Sequence, residues 1–377
     1  MTDPARVFDQ LERHGVGFFS GVPDSLLKDF CAYVTDHAPS ENHVITANEG
    51  AAVGMAVGYH LATDGLALVY MQNSGLGNVV NPLLSLADVE VFSIPMILMV
   101  GWRGEPGVKD EPQHVKQGRV TLALLDAMEI PYVILPSEPE AAESEISRAV
   151  TMAREKSCPV ALVVRKGTFS PYRRKQAADL DQPMSREQAI GCLVEEIEPG
   201  AVVVSTTGMI SRELFEVRQQ RGEEAGRDFL TVGSMGHASS IAFGVASRQP
   251  DRPVYCFDGD GAMLMHLGSL AVLGQAAPAN FKHIVLNNGS HDSVGGQPTV
   301  GLAVRFGDIA RACGYSHIGR AHEPKALRKA MAELRDARGP ALLEIEVRKG
   351  SRDDLGRPTS TPLQNKEAFM RLLRNAV

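Results

Sequence analysis

Short apolar runs alternate with longer amphipathic stretches along the whole chain, a rhythm that predicts repeated βα units and parallel sheets. Six runs occupy the first half: Val16–Phe19, His43–Thr46, Ala67–Met71, Met96–Val100, Tyr132–Leu135 and Val160–Val164. Six more follow: Ala201–Val204, Phe229–Val232, Val254–Phe257, Ile284–Leu286, Tyr315–Ile318 and Ala341–Val347. Between the sets, a polar stretch opening Pro171-Tyr172-Arg173-Arg174-Lys175 and running to Pro183 reads as a linker. The pattern therefore predicts an α/β chain of two doubly wound parallel-sheet domains, residues 1–170 and 185–377, joined by residues 171–184.

Composition narrows the class. A chain of 377 residues with 44% hydrophobic and 22% charged positions is ordinary for a globular protein of two domains. The net charge of -7, with no basic tract, argues against a nucleic-acid partner. Five scattered cysteines show no paired metal spacing and read as buried free thiols in a reducing cytosol. No apolar signal region opens the chain and no run reaches membrane-spanning length. A soluble cytoplasmic enzyme without a membrane partner is the expectation.

The candidate chemistry gathers where strands end, which in an open parallel sheet is where ligands sit. Cys256-Phe257-Asp258-Gly259-Asp260-Gly261-Ala262 closes one apolar run, and Val285-Leu286-Asn287-Asn288-Gly289 closes the next. Asp260 and Asn288 offer hard oxygen donors of the kind Mg²⁺ or Ca²⁺ takes. The glycines let backbone approach a diphosphate, and a helix after Gly261 presents free N–H groups. Either triplet alone is common turn chemistry. Together they read as a metal-bridged diphosphate site.

In the first half, Asn48 is a good helix N-cap and Glu49 in the first turn suits the helix dipole. Gly50, Gly54 and Gly58 then recur along that helix. Each costs about 1 kcal/mol there, so close approach of another element, as at a subunit interface, is expected. After the first run, Asp24 or Ser25 is expected to cap a helix beginning near Leu26, with Lys28 one turn in. The fourth run leads into a Gly/Pro-shaped loop carrying Trp102, Arg103, Lys109 and His114, where Glu105, Asp110 and Glu111 nearly balance the cations. Arginine suits a tetrahedral dianion because it can donate two parallel hydrogen bonds, while lysine serves as a point charge.

The Gly259-Asp260-Gly261 and Asn287-Asn288 pair resembles the signature of thiamin diphosphate (ThDP) enzymes, and Asn48-Glu49-Gly50-Ala51-Ala52 resembles the setting of their conserved glutamate. The resemblance implies the ThDP-binding fold, with a pyrimidine-binding first domain and a diphosphate-binding second one. It implies that Glu49 bonds the aminopyrimidine, that Met235 wedges between the cofactor rings, and that the Gly233 carbonyl holds the exocyclic amine. Thr206, Thr207 and Gly208 would lie near the diphosphate, and Gly261 and Ala262 would bond it through backbone N–H groups. Asp260, Asn288 and the main-chain carbonyl of Ser290 would ligate Mg²⁺.

Three further stretches resemble phosphonopyruvate decarboxylases: Gly21-Val22-Pro23-Asp24-Ser25-Leu26-Leu27-Lys28, the Gly101–His114 loop, and Leu286–Thr299, whose Gly295 and Gly296 would let it close as a lid. The short layout, lacking a middle domain, is shared with sulfopyruvate decarboxylases. The resemblance implies decarboxylation of 3-phosphonopyruvate by a homodimer or higher oligomer, with Glu49 of one chain and Asp260 of another at each site. Asp24, Ser25, Lys28, Asn73, Arg103, Lys109, His114 and His291 are its candidate substrate residues. Sulfopyruvate decarboxylation or carboligation is the alternative within the same chemistry. A non-catalytic ThDP-binding subunit of a larger complex is the alternative outside it. Which cations touch the substrate, and whether His114, His237 or His291 moves a proton, stays open at this level.

Overall fold

All twelve apolar runs form strands. The computed structural model describes residues 1–175, 182–223 and 226–374, in two units, Met1–Ala177 and Ala178–Val377, each built on a six-stranded parallel sheet.

In the first unit the strands are β1 (Val16–Gly21), β2 (His43–Ile45), β3 (Leu66–Gln72), β4 (Met96–Gly101), β5 (Tyr132–Ile134) and β6 (Pro159–Val164), in the order β2-β1-β3-β4-β6-β5. Alternate side chains enter separate buried clusters. Phe19, Leu68, Tyr70, Met99 and Leu162 pack together, and Phe18, Val69, Met71, Leu98 and Val163 pack in the other cluster. Burial on both faces is why these strands read as continuous apolar runs.

The second unit contains β7 (Val202–Ser205), β8 (Asp228–Leu230), β9 (Val254–Gly259), β10 (Phe281–Asn287), β11 (Ser290–His291), β12 (Gln297–Pro298), β13 (His317–Ala321) and β14 (Ala341–Glu346). Its sheet runs β13-β14-β10-β9-β7-β8. Strands β11 and β12 form a separate antiparallel pair beyond the ligand-facing end of β10, a feature the sequence pattern does not announce.

The direction of strand addition reverses between β1 and β3 in one sheet and between β7 and β9 in the other. Such switch points open crevices at the carboxyl ends of the strands. Gln72 donates to Asp24 across the first at 2.6 Å. Across the second, Thr206 N donates to the Phe257 carbonyl at 2.8 Å.

Two local expectations change. The helix after β1 begins at Lys28, with Leu27 at the cap and no side-chain capping bond. Asp24 instead accepts from Leu26 N at 2.8 Å, which turns the chain before the helix starts. The second shift concerns the short helix at the Asp260 turn, which spans Asp260–Met265 and so starts at Asp260 itself.

The proposed linker is tied down at both described flanks. Tyr172 N donates to Asp29 at 3.0 Å, and Gln182 donates to Glu346 at 3.1 Å. Residues 176–181, the middle of that linker, lie outside the described residues. All five cysteines are free, with Cys31 and Cys256 fully buried. Among the described residues, no helix is long and apolar enough to cross a membrane.

Candidate active site

Glu49 opens the Glu49–Thr63 helix, whose N-cap Asn48 accepts from Ala51 N at 2.9 Å. The carboxylate is buried, and its Oε2 accepts from Asn78 Nδ2 at 2.7 Å. Its Oε1 has no hydrogen-bond partner among the described residues and lies against Gly75, where an added Cβ would stand 2.5 Å away. Gly50 is the only glycine of the helical stripe with a close neighbour, since its Cβ would meet the Asn78 carbonyl at 3.0 Å. Gly54 and Gly58 have nothing within 4 Å and are exposed beside Met55 and Leu61. The expected close approach therefore does not occur within the unit for those two.

The switch-point crevice of the same unit collects most of the substrate candidates. Asp24 is fully buried, and burial raises its carboxyl above the usual range against the opposing pull of Gln72, Leu26 N and the charge of Arg103. A side chain at Gly101 would strike it, with a Cβ only 2.3 Å from Oδ2. Arg103 donates through Nε to Asp110 at 2.8 Å, through Nη2 to Asp110 at 2.5 Å, and through Nη1 to Ser25 Oγ at 2.7 Å. Asn73 is a buried brace, donating to the Arg103 carbonyl and to Thr121 Oγ1 at 2.8 Å each.

His114 corrects the picture of three neighbouring cations. It is buried at the start of the Pro112–Ala127 helix, and burial, helped by the Arg103 charge, pushes it down to about 4. It is therefore neutral at neutral pH. Lys28 is exposed at the first position of its helix, and Lys109 is exposed on the loop.

In the second unit the polar groups are far more densely bonded. Asp260 is 2% exposed at the end of β9, and burial pushes its carboxyl up to about 6 although Thr299 Oγ1 donates to it. Asn287 is saturated: its Nδ2 donates to Gly301 O and to Glu344 at 2.9 Å each, and its Oδ1 accepts from Gly289 N at 3.2 Å. Asn288 is bonded less fully. Asn288 Nδ2 donates to Asp292 at 2.7 Å, which fixes the amide orientation and turns Oδ1 toward Ser290 N, 3.0 Å away. Asp292 in turn accepts from Arg186 at 2.8 Å, and Arg186 grips buried Glu213 at 2.8 and 2.9 Å. Sequence reading missed this Arg186–Glu213–Asp292 support. Only the four-residue step from Asn288 to Asp292 hints at it.

Three observations bear on what the second crevice accepts. Thr206 Oγ1 and Ser290 Oγ are buried without partners. The half-buried His291 ring packs directly on the Gly261 backbone, where a Cβ would meet Cε1 at 2.8 Å. At Gly301 a Cβ would meet Asp260 Oδ2 at 2.4 Å and Asn287 Oδ1 at 2.8 Å. Unpaired hydroxyls beside an all-oxygen donor set fit an anionic ligand with a hard cation. Burial pushes His291 down to about 4, so it is neutral there. Gly208, with φ 96°, caps the Met209–Gln220 helix beside half-buried Thr207. Met235 is half-buried and in neither core cluster of its unit, and Gly233 is half-buried in the same loop. Ala262 is buried. Beneath the turn, His283 approaches Asp258 at 3.4 Å and Asp258 accepts from Gly259 N at 3.0 Å, a buried brace outside the crevice.

Two family signatures cover most of the described sheets. The thiamine pyrophosphate enzyme N-terminal TPP binding domain matches residues 1–130, and the C-terminal TPP binding domain matches residues 206–345. Phosphonopyruvate decarboxylases from Streptomyces viridochromogenes and Streptomyces hygroscopicus are 35% and 36% identical over 370 residues, covering 94% of this chain and 91% and 90% of theirs. The chain belongs to the phosphonopyruvate decarboxylase family. A sulfopyruvate decarboxylase from Methanosarcina acetivorans is 26% identical over 401 residues, covering 97% of this chain and 95% of that one. Both matched domains are TPP binding domains, which makes thiamin diphosphate the cofactor of this chain.

Proposed function

We propose that this chain decarboxylates 3-phosphonopyruvate to phosphonoacetaldehyde and CO₂ with ThDP and Mg²⁺, as a step of phosphonate biosynthesis. One observation carries the reading. A buried glutamate with a free oxygen and an all-oxygen cluster of Asp260, Asn288 and Ser290 occur in one chain, each at the carboxyl edge of its own sheet. When bound, ThDP supplies the electron sink into which the carboxylate's bonding pair is released.

The chain's own residues do the rest. Glu49 holds or yields a proton at Oε1 against the pyrimidine ring, while Asn78 keeps Oε2 occupied. Asp260, the Asn288 amide oxygen and the Ser290 carbonyl hold Mg²⁺, whose charge offsets the cost of burying Asp260. Thr206 Oγ1 and the backbone at Thr207, Gly208, Gly261 and Ala262 bond the diphosphate. Half-buried Met235 and the Gly233 carbonyl would hold the cofactor's rings. Asp24, Ser25, Lys28, Asn73 and Arg103 shape the substrate crevice of the first unit, while in the second unit His291 and the β11–β12 segment, with Gly295 and Gly296, stand ready to cover bound ligand. Gly54 and Gly58, bare and flanked by exposed Met55 and Leu61, suit the interface of a homodimer in which a second copy completes each site.

The test is CO₂ release by the purified chain with phosphonopyruvate, sulfopyruvate and pyruvate, with and without ThDP and with Mg²⁺ or EDTA. Preference for phosphonopyruvate that vanishes without ThDP supports the reading. Preference for sulfopyruvate, which the Methanosarcina relative makes the second reading, would overturn the substrate and keep the cofactor.

A further inference from the structure

Behind Trp102, a cavity of about 210 Å³ lies in the first unit, and five charged side chains line it: Arg103, Glu105, Lys109, Asp110 and Lys166. Pairing accounts for three of them. Arg103 is bidentate on Asp110, with Ser25 taking its remaining nitrogen, so its charge is compensated and its position fixed. Glu105 is held by Arg165 at 2.8 Å, whose guanidinium also sits 5.7 Å from the centre of the Trp102 ring. Neutral His114 adds no charge. Lys109 and Lys166 remain, and neither has an ion pair among the described residues.

The two lysines reach the cavity from different places. Lys109 stands on the loop after β4, and Lys166 lies just past β6, the strand beside β4. The cavity also adjoins the glutamate's surroundings. The turn Asn73–Gly75 touches Glu49 through Gly75 and bonds the Arg103 backbone through Asn73. Both lysines are exposed where they line the cavity, so solvent screens their mutual repulsion, but with both carboxylates on the wall already engaged the lining keeps a net positive charge that favours an anion.

We infer that Lys109 and Lys166 form the subsite for the tetrahedral dianionic end of the substrate, with the Arg103–Asp110 pair as fixed wall and not as the grip. The identity of the dianion as a phosphonate rests on the function proposed above. The lysine pair itself rests on the charges in the cavity. Ammonium groups on flexible stems suit this task because they can follow the tail as the substrate enters, whereas a pinned guanidinium cannot.

The full chain, loaded with ThDP and Mg²⁺, provides two independent readouts. The first is kcat and KM for phosphonopyruvate and pyruvate in Lys109→Gln, Lys166→Gln and the double variant. Each single change is expected to raise KM for phosphonopyruvate about tenfold and the pair about a hundredfold, with kcat moving much less, as for the loss of charge-assisted bonds. Lys166→Arg should restore most of the loss. The second readout is a titration with methylphosphonate followed by the fluorescence of Trp102, the chain's single tryptophan. Saturable quenching in the wild type that disappears in the double variant supports the subsite even if the enzyme turns out to prefer another acid. Wild-type KM and wild-type methylphosphonate binding in the double variant would overturn it. So would absence of methylphosphonate binding in the wild type, whatever the preferred substrate.

Discussion

The two units share a topology but solve opposite electrostatic problems. The first leaves cations uncompensated at its crevice and gives its key carboxylate, Glu49, a single side-chain bond. The second buries acids and amides in a bonded web running from Glu213 through Arg186 and Asp292 to Asn288, and from Thr299 to Asp260. Under the proposed function, one crevice would receive a proton-exchanging ring and an anion. The other, a bonded oxygen cup, would gain from receiving a cation. Similar sheets thus carry different chemistry in their loops, as expected when function resides in sites grafted on a common fold.

Removing the acid of the cup tests this contrast most severely. Asp260→Ala should lose ThDP at ordinary Mg²⁺ concentrations and with it more than about a thousandfold in turnover, in line with losing a metal ligand. Unchanged ThDP affinity in equilibrium dialysis would remove Asp260 from the metal site. Glu49→Gln should cost turnover on a comparable scale, typically about 10²- to 10⁴-fold for a proton-handling group, yet keep metal-dependent ThDP binding. If both variants lose the cofactor alike, the division of labour between the units is wrong.

A smaller effect is expected behind the cup. Asp292→Asn keeps the size of the side chain but gives Arg186 a neutral partner and loosens the hold on the Asn288 amide, so Mg²⁺ affinity should fall about 10- to 100-fold. A Mg²⁺ titration of ThDP retention would show it, and an unshifted curve would make the network purely structural. On the first unit, a Cβ at Gly54 would meet nothing within 4 Å among the described residues, so Gly54→Arg should leave its thermal unfolding nearly unchanged while shifting sedimentation toward the monomer. An unaltered dimer would place the interface elsewhere.

The mildest test concerns acid. Burial pushes His43 down to about 4 from its ordinary 6.5, and it sits 2.9 Å from the Tyr70 hydroxyl. Because the unfolded chain binds that proton more readily, its contribution to stability is present above pH 6.5 and is lost as pH falls toward 4. His43→Asn should flatten that part of the stability curve of the first unit, read through Trp102 fluorescence. A slope identical to the wild type would assign the acid sensitivity to other groups.

Much of this was legible in the sequence because both sheets are buried on two faces, so each strand announces itself as an apolar run, and because glycines and acids mark the strand ends. The helix start at Lys28 was not legible, since Asp24 bonds forward to Leu26 N and spends its capping capacity on a turn. His114 reads as a cation in the loop wording, and only its burial makes it neutral. Lys166 and Arg186 stand far along the chain from the loops they serve, so no local pattern could connect them. Pairing across the fold decides which charges remain, and composition counts them all equally.

Gly301 shows how narrow the tolerance is in the second crevice. A methyl group there would occupy the space of an Asp260 oxygen and crowd the Asn287 amide. Gly301→Ala therefore acts by displacing an oxygen, not by removing one. It alters no charge and no donor, yet it must push the Asp260 carboxylate off the position it holds. Such a variant would serve as a dead reference protein, identical in surface and acidity to the active one, for separating what the cofactor does from what the folded chain does alone.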